Sequence, residues 1–255
     1  MKKHIPNLIT LANLLAGLDA IIAALKGDLA FASFLILLGI FFDFFDGFAA
    51  RLLKVSSELG KQLDSLADVV TSGVAPSIIM YKLLENSQGQ TEWFQNFSST
   101  IGSWIPTDDD TFYYFPYIAL LFALASAYRL ANFNIDTRQS SSFIGLPTPA
   151  STLVIAALPL IQLYSTNYFA IALTNDKFVL IGITLLLSIL MNIELPLFSL
   201  KFKNLSFKDN AVVFIFLLIS LALVITLKFI AIPLIIAIYI LFSLMININK
   251  NLKHS

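Results

Sequence analysis

The chain has 255 residues, 58% of them hydrophobic and only 13% charged, against about 45–50% and about 25% in soluble domains; its mean hydropathy is +0.83. Sixteen basic residues balance sixteen acidic ones, so the basic footprint of a nucleic-acid binder is absent and no nucleic-acid partner is expected. There is no Cys, and the two His, His4 and His254, sit at the termini. That excludes disulfides, thiol catalysis and Cys-ligated zinc, argues against histidine bases, and leaves any catalysis to carboxylates.

Runs of about 20 apolar residues, enough for a hydrocarbon core of ~30 Å, recur along the chain. They predict an all-α, polytopic membrane helix bundle with about eight transmembrane helices, near residues 8–25, 29–53, 63–84, 115–131, 150–168, 178–197, 211–227 and 229–246. With the N-terminus inside, twelve of the sixteen Lys and Arg residues fall on the cytoplasmic side; only Lys26, Lys82, Lys177 and Lys228 fall outside. This is the asymmetry of positive-inside retention, so both termini are expected in the cytoplasm and the protein in the cell membrane. The first span follows Met1-Lys2-Lys3 like a signal peptide, but Asp19 and Lys26 interrupt its far end and no A-x-A site follows, so it is expected to be retained. The loop 85–114, with Glu85, Glu92, Asp108–Asp110, Trp93, Trp104, Tyr113 and Tyr114, reads as an outer interfacial cap. No repeat or long linker divides the chain, and 1–255 reads as one membrane domain.

Carboxylates inside membrane helices are costly and mark functional sites. Four fall in one window. Asp43, Asp46, Gly47, Ala50 and Arg51 stand at i, i+3, i+4, i+7 and i+8, one stripe of a helix; Gly60, Asp64 and Asp68 are four apart, again one stripe. A short turn between them lets the stripes face each other on adjacent antiparallel helices. Four converging carboxylates need protons or cations to compensate them. Ligation by oxygen alone selects Mg²⁺ or Mn²⁺ over Zn²⁺, and two such ions would suit a diphosphate substrate. Gly47 and Ala50 let a ligand approach the backbone, while Arg51 offers a planar donor fork for phosphate. The alternative is an acidic or proton-relay helix pair, as in a cation- or proton-coupled transporter.

The pattern Asp43-x2-Asp46-Gly47-x2-Ala50-Arg51-x8-Gly60-x3-Asp64-x3-Asp68 resembles the full signature of the CDP-alcohol phosphatidyltransferases, at all eight positions. The resemblance implies an integral membrane enzyme that displaces CMP from a CDP-linked lipid with an alcohol. It implies two divalent ions on Asp43, Asp46, Asp64 and Asp68, with Asp68 also the base. It also implies contacts to CDP-diacylglycerol from Gly47, Ala50, Arg51, Ser57 and Gly60, and a homodimer. The opening Pro6-Asn7-x-x-Thr10 is similar to the family's entry to its first helix, which implies CDP contacts from Asn7 and Thr10; the same residues also suit a plain helix start.

Three further segments, Ile9-Thr10-Leu11-Ala12-Asn13-Leu14, Arg129-Leu130-Ala131-Asn132-Phe133-Asn134 and Gly145-Leu146-Pro147-Thr148-Pro149, resemble the phosphatidylserine synthase branch. So do two additional C-terminal helices, which implies a catalytic six-helix core over 1–200 followed by 201–255. One departure is Asn132, where that branch usually carries a second Arg. The resemblance implies L-serine as acceptor, with Arg129 and Arg138 as the cations for its carboxylate and Asn134 as a polar neighbour. Arg129 could equally be a positive-inside anchor, and the Gly-Pro-Pro segment a tight turn opening a helix. Glycerol 3-phosphate or an inositol phosphate is the alternative acceptor. Either would call for a richer basic cluster than Lys54, Lys61, Arg129 and Arg138 supply.

Overall fold

The computed structural model describes residues 4–55, 57–87, 115–135, 143–197 and 210–254; most of the expected outer cap lies outside them. The chain is a bundle of helices. Helix α1 (His4–Leu25) turns back into α2 (Leu29–Leu53), which Asp28 caps by accepting from the Phe31 N–H at 3.0 Å. The face α1 buries is Pro6, Thr10, Asn13, Ala16, Gly17, Ala20, Ala23 and Ala24, a row of small residues that lets the two helices approach closely. Helix α2 ends at Lys54, whose left-handed φ of 55° closes the C-terminus. Ser57 then opens α3 (Glu58–Asp68), its hydroxyl accepting from the Gly60 N–H at 3.0 Å.

Helix α3 does not stop at Asp68. It widens into a π-helical turn over Val69–Val74 and continues as α4 (Ala75–Asn86), so that Glu58–Asn86 is one span of 29 residues. Four helices meet at the wide turn. Thr71 donates to the Asn13 carbonyl of α1 at 3.1 Å, and Thr152 donates to the Ser72 carbonyl at 2.7 Å. Gly39 of α2 faces Thr71, and Gly73 faces Ser126. Helix α5 (Leu120–Ile135) follows a 3₁₀ turn over 115–119, and a two-residue strand β1 (Phe143–Ile144) leads to α6 (Thr148–Tyr164).

The short α7 (Tyr168–Asn175) occupies a stretch expected to be loop, and meets α8 (Lys177–Asn192) at 74°. Asp176 ends the first and caps the second, accepting from the Phe178 and Val179 N–H groups. Helix α8 ends at Asn192, which leaves Glu194 outside it rather than within a span; strand β2 (Pro196–Leu197) then pairs antiparallel with β1. The last apolar stretch, Val212–Met245, is 34 residues long, too long for one crossing. It is a hairpin of α9 (Ala211–Leu227) and α10 (Ala231–His254). The chain reverses at Lys228, and the Phe216 ring lies 5.8 Å from Tyr239 and 6.5 Å from Phe242. By length and composition five helical stretches can cross a membrane, or six if α7 and α8 form one broken span; α6 is apolar but shorter. The protein is therefore polytopic. The expected count of eight divides these stretches more finely, by reading the hairpin as two spans and α6 as one.

Candidate active site

Asp43 and Asp46 lie on the last turns of α2, and Asp64 and Asp68 on α3, so the Lys54 cap that ends α2 and the Ser57 cap that opens α3 bring the two stripes together. Asp43, Asp64 and Asp68 each offer a carboxylate oxygen, and these atoms lie within 4.8 Å of one another. That set is oxygen-only and half-buried, which fits a hard divalent cation. Asp46 sits to one side, 5% exposed, and accepts a hydrogen bond from the Thr10 hydroxyl at 2.6 Å. Asn13 reaches the cluster from the same helix as Thr10: its amide donates to Asp68 at 3.4 Å, and its own oxygen is buried without a hydrogen-bond partner. Asn13 was read only as part of a sequence resemblance. The physical signal it carries is an amide three residues beyond Thr10 on an otherwise apolar stripe.

A cavity of about 400 Å³ opens beside the acids, within the usual size of small-molecule sites. Asp43, Asp64 and Asp68 form one wall; Arg129, Leu130, Phe133 and Asn134 of α5 and Pro147, Thr148 and Pro149 at the start of α6 form the other, with Lys61 and Ser65 at α3. Arg129 is 8% exposed and donates to the Gly145 carbonyl at 3.3 Å, so it is a buried cavity residue and not a snorkelling anchor. Gly145, at φ +73°, packs against the Met191 and Ile193 carbonyls, 2.8 and 2.9 Å from where a Cβ would stand. The Gly145 and Leu146 N–H groups donate to Leu195 and Leu190 at 2.8 and 2.9 Å. The Gly-Pro-Pro segment is thus a turn that ties off α8 and also forms a cavity wall. Asn134 donates to the Ser65 hydroxyl at 2.8 Å and joins α5 to α3; Lys61, absent from the expected site set, donates to the Asn134 carbonyl at 3.5 Å.

Not every expected residue enters the cavity. Gly47 has open space beside its backbone, and Arg51 is exposed on the same stripe. A Cβ at Gly60 would stand 3.1 Å from the Ser57 hydroxyl and 3.2 Å from the Asn7 side-chain oxygen. That brings Asn7, Ser57 and Gly60 together where α1 meets the start of α3. Ser57 is fixed as a helix cap rather than lying in an unconstrained turn. Arg138 falls outside the described residues.

The sequence model of the CDP-alcohol phosphatidyltransferases matches residues 3–197, a stretch that contains the whole cluster and both cavity walls. The chain belongs to that family. Among relatives of this CDP-alcohol phosphatidyltransferase, a CDP-diacylglycerol–serine O-phosphatidyltransferase of Helicobacter pylori is 32% identical over 258 residues, spanning 96% of this chain and 95% of the relative. One of the same name from Bacillus subtilis is 34% identical over 159 residues, 61% of this chain and 75% of the relative. An archaetidylserine synthase of Methanothermobacter thermautotrophicus is 28% identical over 194 residues, covering 75% and 69%. The family match ends at residue 197, so the α9–α10 hairpin lies beyond it.

Proposed function

We propose that this CDP-alcohol phosphatidyltransferase transfers the phosphatidyl group of CDP-diacylglycerol to the hydroxyl of L-serine, releasing phosphatidylserine and CMP. The observation that carries the reading is the shared cavity, with three carboxylates on one wall and the buried Arg129 with Asn134 on the other. Such a cavity suits a small acceptor that has a hydroxyl at one end and a carboxylate at the other. The names of the two bacterial relatives above support the same acceptor.

Asp43, Asp64 and Asp68 would hold Mg²⁺ or Mn²⁺, with Asp46 available to a second ion. When bound, the cations would neutralise the diphosphate and the charge that develops on the leaving CMP. Asp68 accepts the serine hydroxyl proton as that oxygen attacks the lipid-side phosphorus. The new P–O bond forms as the bond to CMP breaks, and CMP leaves with the electron pair. Thr10 holds Asp46, and Asn13 holds Asp68, each in one rotamer. Arg129 pairs with the acceptor carboxylate, assisted by Asn134 and Arg138, while Asn7, Gly47, Ala50, Arg51, Ser57 and Gly60 take the CDP portion. The acid end faces the cytoplasm with both termini, the chain crosses the bilayer eight times, and the working unit is a homodimer. Residues 1–200 form the catalytic core and 201–255 the added hairpin.

The test is CMP release by the purified chain given CDP-diacylglycerol, Mg²⁺ or Mn²⁺, and a panel of alcohols. Serine-dependent release is expected; release that depends instead on glycerol 3-phosphate or inositol phosphate overturns the acceptor but not the family.

A further inference from the structure

We propose that a second cavity, at the tip of the α9–α10 hairpin, binds the phosphate diester of a membrane phospholipid through Lys228. The cavity is about 380 Å³ and is lined by residues 164–167 at the end of α6 and 226–230 at the hairpin turn. It lies away from the acid cluster. Phe229 packs on Phe34 of α2, ring centroids 6.4 Å apart, and Phe34 stands nine residues, about 13 Å of helix, before Asp43.

Its lining is that of an anion site. Among the described residues, Lys228 is the one charged residue that lines it, and no carboxylate does. Lys228 makes no ion pair or hydrogen bond among the described residues. The neighbouring polar groups retain donors. The Ser165 oxygen accepts from the Asn167 N–H at 3.0 Å, which leaves its own hydrogen to give. The Asn167 oxygen accepts from the Ala170 N–H at 3.1 Å, which leaves its NH₂ group.

The backbone carries an independent signal. Lys228 holds φ 51° and ψ −121°, the first central position of a type II′ turn, which glycine adopts freely and lysine only under strain. A hairpin selected for stability alone would place glycine there. The strain is accounted for if the ammonium has a ligand. Phe34, Tyr164 and Phe229 cluster at the turn, Phe34 edge-on to both partners and Tyr164 and Phe229 5.6 Å apart, an aromatic group of the kind found at the hydrocarbon boundary. Exposed Leu163, Ile225 and Phe34 beside the cavity offer acyl chains a surface, which a free phosphate ion would not use. The ligand is therefore assigned as a lipid head group.

The test uses the whole 255-residue chain in detergent, with Lys228→Gly, which relieves the turn, and Lys228→Gln, which keeps a polar side chain without the charge. Native mass spectrometry counts retained phosphatidylglycerol, and thermal unfolding is followed with phosphatidylglycerol, with diacylglycerol of the same chains, and with inorganic phosphate. Wild type is expected to retain one more phosphatidylglycerol than either variant and to bind it at least fivefold more tightly. Diacylglycerol and phosphate are expected to leave its unfolding midpoint unchanged. Lipid held at the catalytic cavity is common to all three proteins and cancels in the comparison, and all three should release CMP at equal rates in detergent. Equal retention and equal midpoints in wild type and both variants would overturn the proposal. A full shift with inorganic phosphate alone would overturn the lipid assignment in favour of a soluble anion.

Discussion

Asp68 differs from Asp43 and Asp64 in what holds it. Asp43 and Asp64 approach it as fellow carboxylates, but Asn13 reaches it from another helix with a donated hydrogen bond, which fixes the rotamer of the proposed base. Asp68→Asn keeps the shape and removes the proton acceptor. CMP release is expected to fall by about 10²–10⁴, with an unchanged circular dichroism spectrum; substantial turnover would remove Asp68 from the base role. Arg129 does two things at once, since it donates to the Gly145 carbonyl and also lines the cavity. Arg129→Ala is expected to raise the KM for serine roughly tenfold or more while the KM for the lipid changes little, as loss of a charge-assisted contact to one substrate requires. Equal effects on both KM values, with a lowered unfolding temperature, would make Arg129 a turn-holding residue only. The four carboxylates were legible from spacing because a helix repeats every 3.6 residues. The singling out of Asp46 by Thr10 was not, because a contact across 36 positions has no local signature.

At the scale of elements, the π-helical turn Val69–Val74 does what a regular helix could not. The wider turn frees carbonyl oxygens for partners on other helices, and here Ser72 receives Thr152. It also brings Thr71 against α1 and α2 at positions where only glycine fits. A Cβ on Gly17 would stand 2.5 Å from the Thr71 hydroxyl and 2.9 Å from its Cα, and backbone cannot step aside cheaply. Gly17→Ala is therefore expected to destabilise the bundle by about 1–3 kcal/mol, read as a lower unfolding temperature in detergent. Gly145→Ala meets two backbone carbonyls and a left-handed φ together. It should detach the turn from α8, reduce turnover and lower stability, measured by CMP release and thermal unfolding on the same sample. Apolar periodicity located most helices, but it did not find the π turn, whose residues are as apolar as a regular span. It also took α7 for loop, because eight residues between polar Asn167 and Asp176 are shorter than a crossing.

For the molecule as a whole, the acid cavity lies towards one end of the bundle and the Lys228 turn towards the other. The positive-inside count predicts that the acid end faces the cytoplasm. Because the chain contains no Cys, single cysteines report orientation directly. Lys54→Cys, at the C-terminal end of α2, is expected to react with an impermeant maleimide only in inside-out vesicles, and Ser165→Cys, in the cavity at the Lys228 turn, only in right-side-out ones. The reverse pattern would overturn the orientation. Membrane residence was legible from hydropathy, because a bilayer demands long uninterrupted apolar runs. The crossing count was less so: Val212–Met245 is continuous in composition, and only the packing of Phe216 against Tyr239 reveals its reversal.

The sequence by itself determined the membrane class, the pairing of two acidic helix stripes and the oxygen-only character of the site, since these depend on composition and helical period alone. Tertiary structure decided the rest. It divided the four carboxylates into a cluster of three and one held by Thr10, and it made Arg129 a buried cavity wall rather than a positive-inside anchor. It also placed Asn13 on Asp68 and set Lys228 over a second cavity. Each of these depends on helices distant in sequence meeting at angles set by side-chain packing, and packing is a property of surfaces in contact that no single segment encodes.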